Sequence, residues 1–264
     1  IDDLSRQWLE NPLLTVVVFI VLTIIIGAVL DLTFTLYKTF GLEARFGFNK
    51  TPPGLYIKYL IKQTLLFLVI GVPLLFTALW LMQVSGKYWW LYLWLVWMAF
   101  NLLAMVIYPI WIAPLFNKFE TLEDETVSKS VTELMKRTGF KVQGLFVVDG
   151  SRRSAHSNAY FTGLGKSKRV VFFDTLLDTL SADEIVAVLA HELGHFKRRH
   201  IIKRISVFFI ISLIALALLG GLMQQQWFYQ GLGMTTTSNP ASLMLFMMVG
   251  QVFMYFIHQI SSWF

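Results

Sequence analysis

The sequence predicts a mainly α-helical, polytopic membrane protein with one small α/β region. Of its 264 residues, 56% are hydrophobic and only 14% are charged, whereas about 25% are charged in an average soluble domain. Such a chain cannot cover its surface with charged side chains. Long apolar runs occur in five places, and one sizeable polar segment, residues 117–200, separates the third run from the fourth.

Five segments are long and apolar enough to cross about 30 Å of hydrocarbon. They are residues 13–30, 64–82, 88–116, 205–223 and 241–264. The alternative, buried core helices of a large soluble protein, suits one such run but not five. We therefore expect a membrane region with three spans at 1–116 and a second with two spans at 201–264, the last of them incomplete.

The basic residues predict which loops lie in the cytoplasm. Of 22 Lys and Arg residues, 20 fall in the loop 31–63 and the segment 117–204. These stretches follow the first and the third span, so they share one side of the membrane, and excess positive charge in short loops is typical of the cytoplasmic side. Membrane topology thus explains the net charge of +6, and no nucleic-acid partner is predicted.

The polar segment predicts mixed α/β structure. An amphipathic helix is expected over Glu120–Arg137, because its start is acidic, its end is basic and Gly139 follows it. Runs rich in β-branched and aromatic residues are typical of strands. Strands are predicted at Val142–Val148, Ser157–Phe161 and Arg169–Phe173.

A second helix is predicted to begin at Ser181. Ser181 and Glu184 form a capping-box pattern, in which serine caps the helix and the glutamate three residues later reaches back. The apolar residues of the stretch 186–193 indicate that the following turns are mostly buried. At Gly194 the missing side chain would let a strand or substrate come close to this helix.

The stretch HELGH on this helix is typical of a metal-dependent hydrolase. His191 and His195 are four residues apart, so both project from one face, where two imidazoles can share one Zn²⁺. Glu192 lies about 100° further round the helix, where it can act as general base toward water at the ion. The alternative is a surface helix with solvated histidines and glutamate, which fits an apolar segment poorly.

A catalytic zinc site normally has three protein ligands, and this helix supplies two. The chain has no cysteine, so the third ligand must be His, Asp or Glu. His200 lies about 140° from His195 and is interpreted as part of a solvated face, whereas His258 is either an intramembrane functional group or an interfacial residue. The other candidates in the chain, each also interpretable as a turn, cap or hydrogen-bonding residue, are Asp149, Asp174, Asp178 and His156.

Together with four other stretches, HELGH resembles the type I CaaX prenyl endopeptidases, which are integral membrane zinc metalloproteases. The other stretches are GLEARFGFNKTP, YPIWIAPLFNKFETL, SRRSAHSNAYFTG and VVFFDTLL, in the expected order over most of the chain. The heat-shock membrane metalloproteases share HExxH but match the HSNAY stretch less well. The resemblance implies seven helices around a large chamber, with residues 117–200 forming a small cytoplasmic α/β, zincin-like metalloprotease region.

The resemblance also implies a reaction. Family members remove the last three residues of prenylated C-terminal peptides, and at least some act on other membrane-associated proteins. Zinc is held there by the two motif histidines and a downstream glutamate, and His191, Glu192 and His195 match the motif one for one. The expected partners are therefore a peptide or protein substrate, with or without a prenyl group, and the lipid bilayer.

A substrate-binding stretch is expected between two of the strands. Asn158 matches the family's asparagine that holds the substrate backbone. Because Ser157–Phe161 looks extended, we predict an edge strand that pairs with the substrate backbone. Asn158, Ala159 and Tyr160 are the predicted substrate-binding residues.

The chain departs from the family pattern at its third ligand. No Asp or Glu follows Glu192, so we expect the intact protein to continue past Phe264 and to supply a glutamate there. The first residue is Ile1 rather than Met, which indicates a piece of a longer protein or a cleaved signal peptide. The expected location is the bacterial inner membrane or the endoplasmic reticulum membrane.

Two other functions are open from the sequence. One is a membrane quality-control protease without prenyl specificity, which would use the same HELGH chemistry. The other belongs to a different class, a non-catalytic membrane transporter or scaffold in which the motif is inactive. A transporter should show paired broken helices or charges at the midplane of its spans, and the spans here show little of either.

Overall fold

The computed structural model describes residues 12–162, 168–197, 200–234 and 238–261, and it describes their side chains except at 12, 195–197, 200–201, 240, 254 and 256–261. The described residues form two compact units. The first unit draws on the described residues within 1–31, 64–98 and 207–264, and the second on those within 32–63 and 99–206. The functional division at residues 116 and 200 stays a prediction, because these units interleave along the chain.

The described chain is mostly helical. In order, the helices are α1 (Leu13–Glu43), α2 (Pro53–Val84), α3 (Gly86–Phe116), α4 (Glu125–Thr138), α5 (Asp174–Thr179), α6 (Ala182–Lys197), α7 (His200–Leu222), α8 (Gln226–Gly231) and α9 (Asn239–Ser261). Helices α1, α2 and α3 contain π-helical turns at Tyr37–Glu43, Phe67–Gly71 and Tyr108–Ile112. Two of these turns precede or contain a proline, Pro73 or Pro109, whose missing N–H interrupts the helical hydrogen bonding.

Four helices among the described residues are long and apolar enough to cross a membrane: α1, α2, α3 and the part of α7 from Ile202 to Leu222. Large apolar side chains are exposed along them, with Phe34 74%, Val69 71% and Trp111 74% accessible. Exposure on that scale suits lipid rather than water. A polytopic helical membrane protein is therefore confirmed. The fifth predicted span falls in α9, whose described apolar stretch, Ala241–Phe253, is shorter than a span.

The first unit packs its long helices through a common apolar core. Ile20 of α1, Leu79 of α2, Trp89 of α3 and Leu219 of α7 are buried together in it. Gly220 is required by this packing, because a Cβ there would lie 2.8 Å from Cδ1 of Trp90. The indole N–H of Trp94 also donates to the carbonyl of Phe209 at 3.0 Å, which joins α3 to α7.

The second unit contains a four-stranded sheet. Its strands are β1 (Phe119–Thr121), β2 (Gly144–Val148), β3 (Ala159–Thr162) and β4 (Arg169–Phe173). Their order in the sheet is β1-β2-β4-β3, so β1 and β3 are the edge strands. Only the β2–β4 pair is parallel. The three predicted strands are confirmed, β4 with its predicted bounds and the other two with shifts of one to two residues.

Helices α4 and α6 pack against each other over one core that includes the sheet. Val131 of α4, Val170 and Phe172 of β4, and Ile185 and Leu189 of α6 are fully buried there. Side chains on alternate residues of β4 reach this core because successive residues of a strand point to opposite faces. The small α/β region expected from the sequence is thus confirmed.

The helix predicted to begin at Glu120 begins five residues later. Residues Phe119–Thr121 instead form β1, which pairs with β2. Asp124 then caps α4, its carboxylate accepting from the amides of Thr126 at 2.8 Å and Val127 at 3.0 Å. The acidic residues from Glu120 to Glu125 therefore belong first to β1, then to the helix cap at Asp124, and only from Glu125 to α4. The predicted end is confirmed, since Gly139 closes α4 with a φ of 67°.

The loop before β3 is pinned to the start of α5 by Asp174. Its carboxylate accepts from the Ser151 amide at 2.8 Å, from the Ser151 hydroxyl and from the Thr175 amide at 2.8 Å. Partial burial acts to raise the pKa of Asp174, but these hydrogen bonds outweigh it and hold that pKa below its ordinary value. The ionised carboxylate is therefore the form that holds the loop.

This contact predicts how the loop responds to pH. Because the folded pKa of Asp174 is depressed, its stabilisation is fully present above the ordinary aspartate pKa and is lost as pH falls through the lowered value. Asp174→Asn should weaken the loop at neutral pH by roughly 1 kcal/mol, about fivefold in protection from hydrogen exchange at residues 150–152. Asp178→Asn, an exposed position on the same helix, is the matched control. Equal protection in the wild type and Asp174→Asn would contradict the prediction.

Candidate active site

Helix α6 carries the HELGH stretch and is capped as the sequence predicts. The Glu184 carboxylate accepts from the backbone amide and from the hydroxyl of Ser181, both at 2.8 Å. These hydrogen bonds hold the pKa of Glu184 below its ordinary value, the backbone one most strongly. A carboxylate in the first turn also suits the positive end of the helix dipole. The local sequence therefore fixes where α6 begins.

One apolar stripe fixes how α6 is rotated about its axis. Ile185, Leu189 and Leu193 recur every four residues and are all buried in the core of the second unit. His191 follows Leu189 by two residues, about 200° round the helix, and it is exposed. Glu192 lies on the flank between the two faces and is half-buried.

The second motif histidine follows from the helix itself. The backbone of α6 is helical through Lys197, so His195 lies one turn beyond His191 on the same side. The side chain of His195 lies outside the described side chains. Along its backbone, α6 thus places positions 191 and 195 on the side that faces away from the sheet.

The surroundings of the motif are more open than predicted. Ala187, Ala190 and His191 are exposed, so the expectation of a mostly buried turn is wrong. The reason is the rotation of α6, which sends the apolar stripe to the core and leaves alanines on the other side. A Cβ at Gly194 would meet no described atom within 4 Å, so no described strand of this chain makes that glycine necessary.

Strand β3 lies against α6 at one edge of the sheet. The Phe173 amide donates to the Asn158 carbonyl at 3.0 Å, and the register continues by pairing Tyr160 with Val171. Bonded and non-bonded pairs alternate in an antiparallel ladder. Ala159 and Phe161 therefore direct their N–H and C=O groups away from β4, to the open edge.

This register separates the three predicted substrate-binding residues. Ala159 offers backbone groups at the open edge, while its side chain is 4% exposed and lies in the core. Tyr160 turns its backbone to β4, so only its side chain is available for other contacts. The side chain of Asn158 is exposed just before the strand begins. The predicted edge strand is confirmed, and its role in binding substrate stays a prediction.

Tyr160 lines a small pocket on the face of the sheet that lies opposite the core. The pocket has a volume of about 20 Å³ and is bounded by Thr162, by Arg169 and Val171 of β4, and by Tyr108 of α3. The Tyr160 ring packs edge-on against Phe173 with centroids 6.2 Å apart. Burial is the main reason why the pKa of Tyr160 is raised, and the nearby Tyr108 adds to it. Tyr160 is therefore neutral at physiological pH.

The in-chain candidates for a third metal ligand are engaged elsewhere or exposed. The Asp149 carboxylate accepts from the Lys118 amide at 2.8 Å and from Arg152 at 2.9 Å, and Asp174 holds Ser151. The ring of His156 stacks on Phe48 with centroids 4.5 Å apart, and Asp178 is exposed. No group of three His, Asp or Glu side chains that could hold a metal ion occurs among the described residues.

One residue with several described contacts escaped the sequence reasoning. Arg153 lies between two elements of the second unit and joins Asn117 of the chain after α3 to the loop before β3. In the sequence it is one of two consecutive arginines in SRRSAHSNAYFTG. Nothing local distinguishes it from Arg152, because its partners are distant along the chain.

The chain matches two family models. The model for peptidase family M48 covers residues 121–262, more than half of the chain. The model described as the CAAX prenyl protease N-terminal region with five membrane helices covers residues 1–118. The resemblance drawn from the motifs is thereby confirmed.

Individual relatives agree with the family models. CAAX prenyl protease 1 homolog of Oryza sativa is 45% identical over 192 residues, which are 72% of this chain and 45% of that protein. CAAX prenyl protease 1 of Saccharomyces cerevisiae is 40% identical over 222 residues, which are 82% of this chain and 48% of that protein. The chain thus spans about half the length of the curated relatives it matches.

A solved structure shares the fold. The crystal structure of S. mikatae Ste24p superposes with a TM-score of 0.82 at 36% identity, over 89% of this chain and 58% of that one. With its four membrane-length helices, this protein is an integral multi-pass membrane protein. Its HELGH helix, its sheet and the family match over residues 121–262 together place the chain in peptidase family M48.

Proposed function

We propose that the chain carries the catalytic region of a membrane zinc metalloendopeptidase that acts near the C terminus of prenylated CaaX-type or other membrane-associated proteins. The observation that carries the proposal is the packing of α6 against β3. The motif helix lies against an edge strand on which Ala159 turns its backbone N–H and C=O groups away from β4, where an extended peptide can pair with them. The names of the relatives, CAAX prenyl proteases, support the substrate class.

The donor set fits a zinc ion. His191 and His195 supply imidazole nitrogens one helical turn apart, and imidazole suits zinc among the common metals. His191 is exposed on the side of α6 away from the core, so the apolar core does not enclose its ring. When bound, Zn²⁺ supplies Lewis-acid chemistry to a peptide carbonyl and to water. The third ligand is proposed to be a glutamate from outside residues 1–264.

Glu192 is proposed as the general base. It directly follows His191, three residues before His195, and it is half-buried on the flank of α6 between the core-facing side and the exposed side. Its carboxylate takes a proton from the attacking water and returns it to the leaving amine. A general base placed in this way contributes about 10²- to 10⁴-fold to the rate.

Strand β3 is proposed to hold the substrate. An extended peptide added to this edge would hydrogen-bond with the backbone of Ala159, and main-chain pairing of this kind gives affinity without reading sequence. The exposed side chain of Asn158 lies at the start of the strand, where it can add a hydrogen bond to the same backbone. Selection of the sequence is left to contacts with the side chains of the substrate.

The active site is proposed to face the cytoplasm. The support comes from charge, because 20 of the 22 basic residues lie in the loop 31–63 and the segment 117–204, and positive loops are typical of that side. The relatives described above come from a plant and a yeast. We therefore favour the endoplasmic reticulum over the bacterial inner membrane.

The reaction is tested with two peptides and one variant. The intact protein in nanodiscs should cleave a farnesylated CaaX peptide faster than its unprenylated twin, and a zinc chelator should abolish both activities. Glu192→Gln should lower kcat by at least 100-fold with zinc content unchanged, because a general base is not a ligand. His191→Ala should lose zinc as well.

The matched control is Glu184→Gln on the same helix, since Gln preserves the capping box. Near-normal turnover by Glu192→Gln would contradict the mechanism. Equal cleavage of the two peptides would leave a peptidase without prenyl specificity, and no chelator-sensitive cleavage of either would contradict the enzyme itself.

Asn158 tests the substrate-binding strand. Asn158→Ala should lower kcat/KM about tenfold through a higher KM, the cost of one hydrogen bond to the substrate. Zinc content and melting temperature should stay at their wild-type values, because the side chain is exposed. An unchanged kcat/KM, or a loss of zinc, would refute the assigned role.

Topology is tested by labelling single cysteines in a chain that has none of its own. Lys50→Cys and Lys141→Cys should react with an impermeant maleimide from the cytoplasmic side, and Gln225→Cys from the opposite side. All three positions are exposed in the structure, so burial does not limit the reaction. Labelling of positions 50 and 225 from the same side would overturn the orientation.

A further inference from the structure

The loop between α1 and α2 is joined to the segment that leads into β3. Asn49 forms an isolated antiparallel bridge with Ser154. The Lys50 amide donates to the Arg153 carbonyl at 2.9 Å, and the Ala155 amide donates to the Phe48 carbonyl at 3.0 Å. A loop between two membrane-length helices thus pairs, backbone to backbone, with the approach to the candidate substrate strand.

Arg153 is where these contacts converge. Its carbonyl also accepts from the Thr51 hydroxyl at 3.1 Å. Its guanidinium donates to the Asn117 side-chain oxygen and lies over the Tyr59 ring, 5.6 Å from the centroid. Asn117 follows α3 and Tyr59 belongs to α2, so one half-buried side chain ties three parts of the second unit together.

The segment between Arg153 and β3 is held along its length. The ring of His156 stacks on that of Phe48, and its carbonyl accepts from the Thr175 hydroxyl at 3.0 Å. The Ser157 hydroxyl donates to the Thr175 carbonyl at 3.2 Å, and the Asn158 carbonyl accepts from Phe173. With contacts at each of these positions, the segment has little slack to absorb a displacement at Arg153.

We propose that Arg153 is a positioning residue: it fixes the open edge of β3, and thereby the backbone of the bound peptide, relative to the helix that carries His191 and Glu192. The proposal rests on the proposed function, since it assumes that a substrate pairs with the backbone of Ala159. Arg153 acts through β3 and does not itself touch the reacting atoms. Its effect is therefore expected in the hydrogen bonds between strand and substrate rather than in metal binding.

The chemistry of the site favours arginine over lysine. A guanidinium is planar, so it can lie flat over Tyr59 and still donate in its plane to Asn117. A lysine ammonium is a point charge on a flexible stem and cannot hold both partners in one fixed arrangement. Lysine at this position should therefore preserve the charge but loosen the strand.

The test combines a change in the protein with a change in the substrate. A series of substrate peptides, each N-methylated at one amide, first identifies the amide that pairs with β3. In the intact wild-type protein, methylation of that amide should lower kcat/KM about tenfold, as expected for one lost hydrogen bond. In Arg153→Met, kcat/KM for the unmodified peptide should fall about tenfold, and the methylation penalty should shrink to about threefold or less, because the bond is already impaired.

The matched control is Arg152→Met. Arg152 is the preceding arginine, is exposed, and pairs with Asp149 at 2.9 Å, so the tenfold methylation penalty should persist. Zinc content should be the same in all variants. If Arg153→Met lacks a cooperative melting transition, the same comparison is made with Arg153→Lys. In that variant, methylation of the substrate amide should lower kcat/KM about threefold to fivefold.

The outcomes separate the inference from the proposed function. A methylation penalty that stays at tenfold in Arg153→Met, or in Arg153→Lys where that variant decides, would mean that the two changes act independently and would overturn the positioning role. Absence of cleavage by the wild type would overturn the proposed function, and wild-type cleavage insensitive to methylation at every position would overturn substrate pairing with β3. Either of these two results would also overturn the positioning role of Arg153.

Discussion

The packing of one apolar stripe decides where the chemistry of this protein lies. Ile185, Leu189 and Leu193 are buried against the sheet, and burying each such side chain stabilises the fold by about 1.5–3 kcal/mol. A helix has 3.6 residues per turn, so once those three positions face the core, His191 must face away from it. The side of α6 that is proposed to bind the metal is thus set by Ile185, Leu189 and Leu193, which have no part in the proposed reaction.

The same contact constrains the neighbouring strand. Ala159 faces the core with a side chain small enough to let β3 and α6 come together, and the alternation of the ladder then sends the backbone groups of Ala159 outward. A strand that turned Tyr160 to the core instead would expose the other set of backbone groups. The register of β3 and the rotation of α6 therefore follow from the same packing. Together they place the outer edge of β3 beside the helix that carries His191 and His195.

The sequence predicts these features where their causes are local. The cap of α6 and the bounds of β4 follow from residues within a few positions of each other, as do the HELGH spacing and the apolar runs. The start of α4 was displaced because β1 exists only through its pairing with β2, distant in the chain. Exposure at Ala187 and Ala190 and the contacts of Arg153 depend on tertiary packing, for which a single sequence carries no signal.

The HELGH stretch is close in sequence to a membrane-length helix. His195 is seven residues before Ile202, where the apolar part of α7 begins, and seven residues span at most about 25 Å. On the proposed function, the bond to be cut lies next to a lipid-modified residue of the substrate. That residue cannot leave the bilayer without exposing its chain to water, at about 0.8 kcal/mol per CH₂ group. On this proposal the HELGH stretch must act at the membrane surface, and its closeness in sequence to Ile202 meets that requirement.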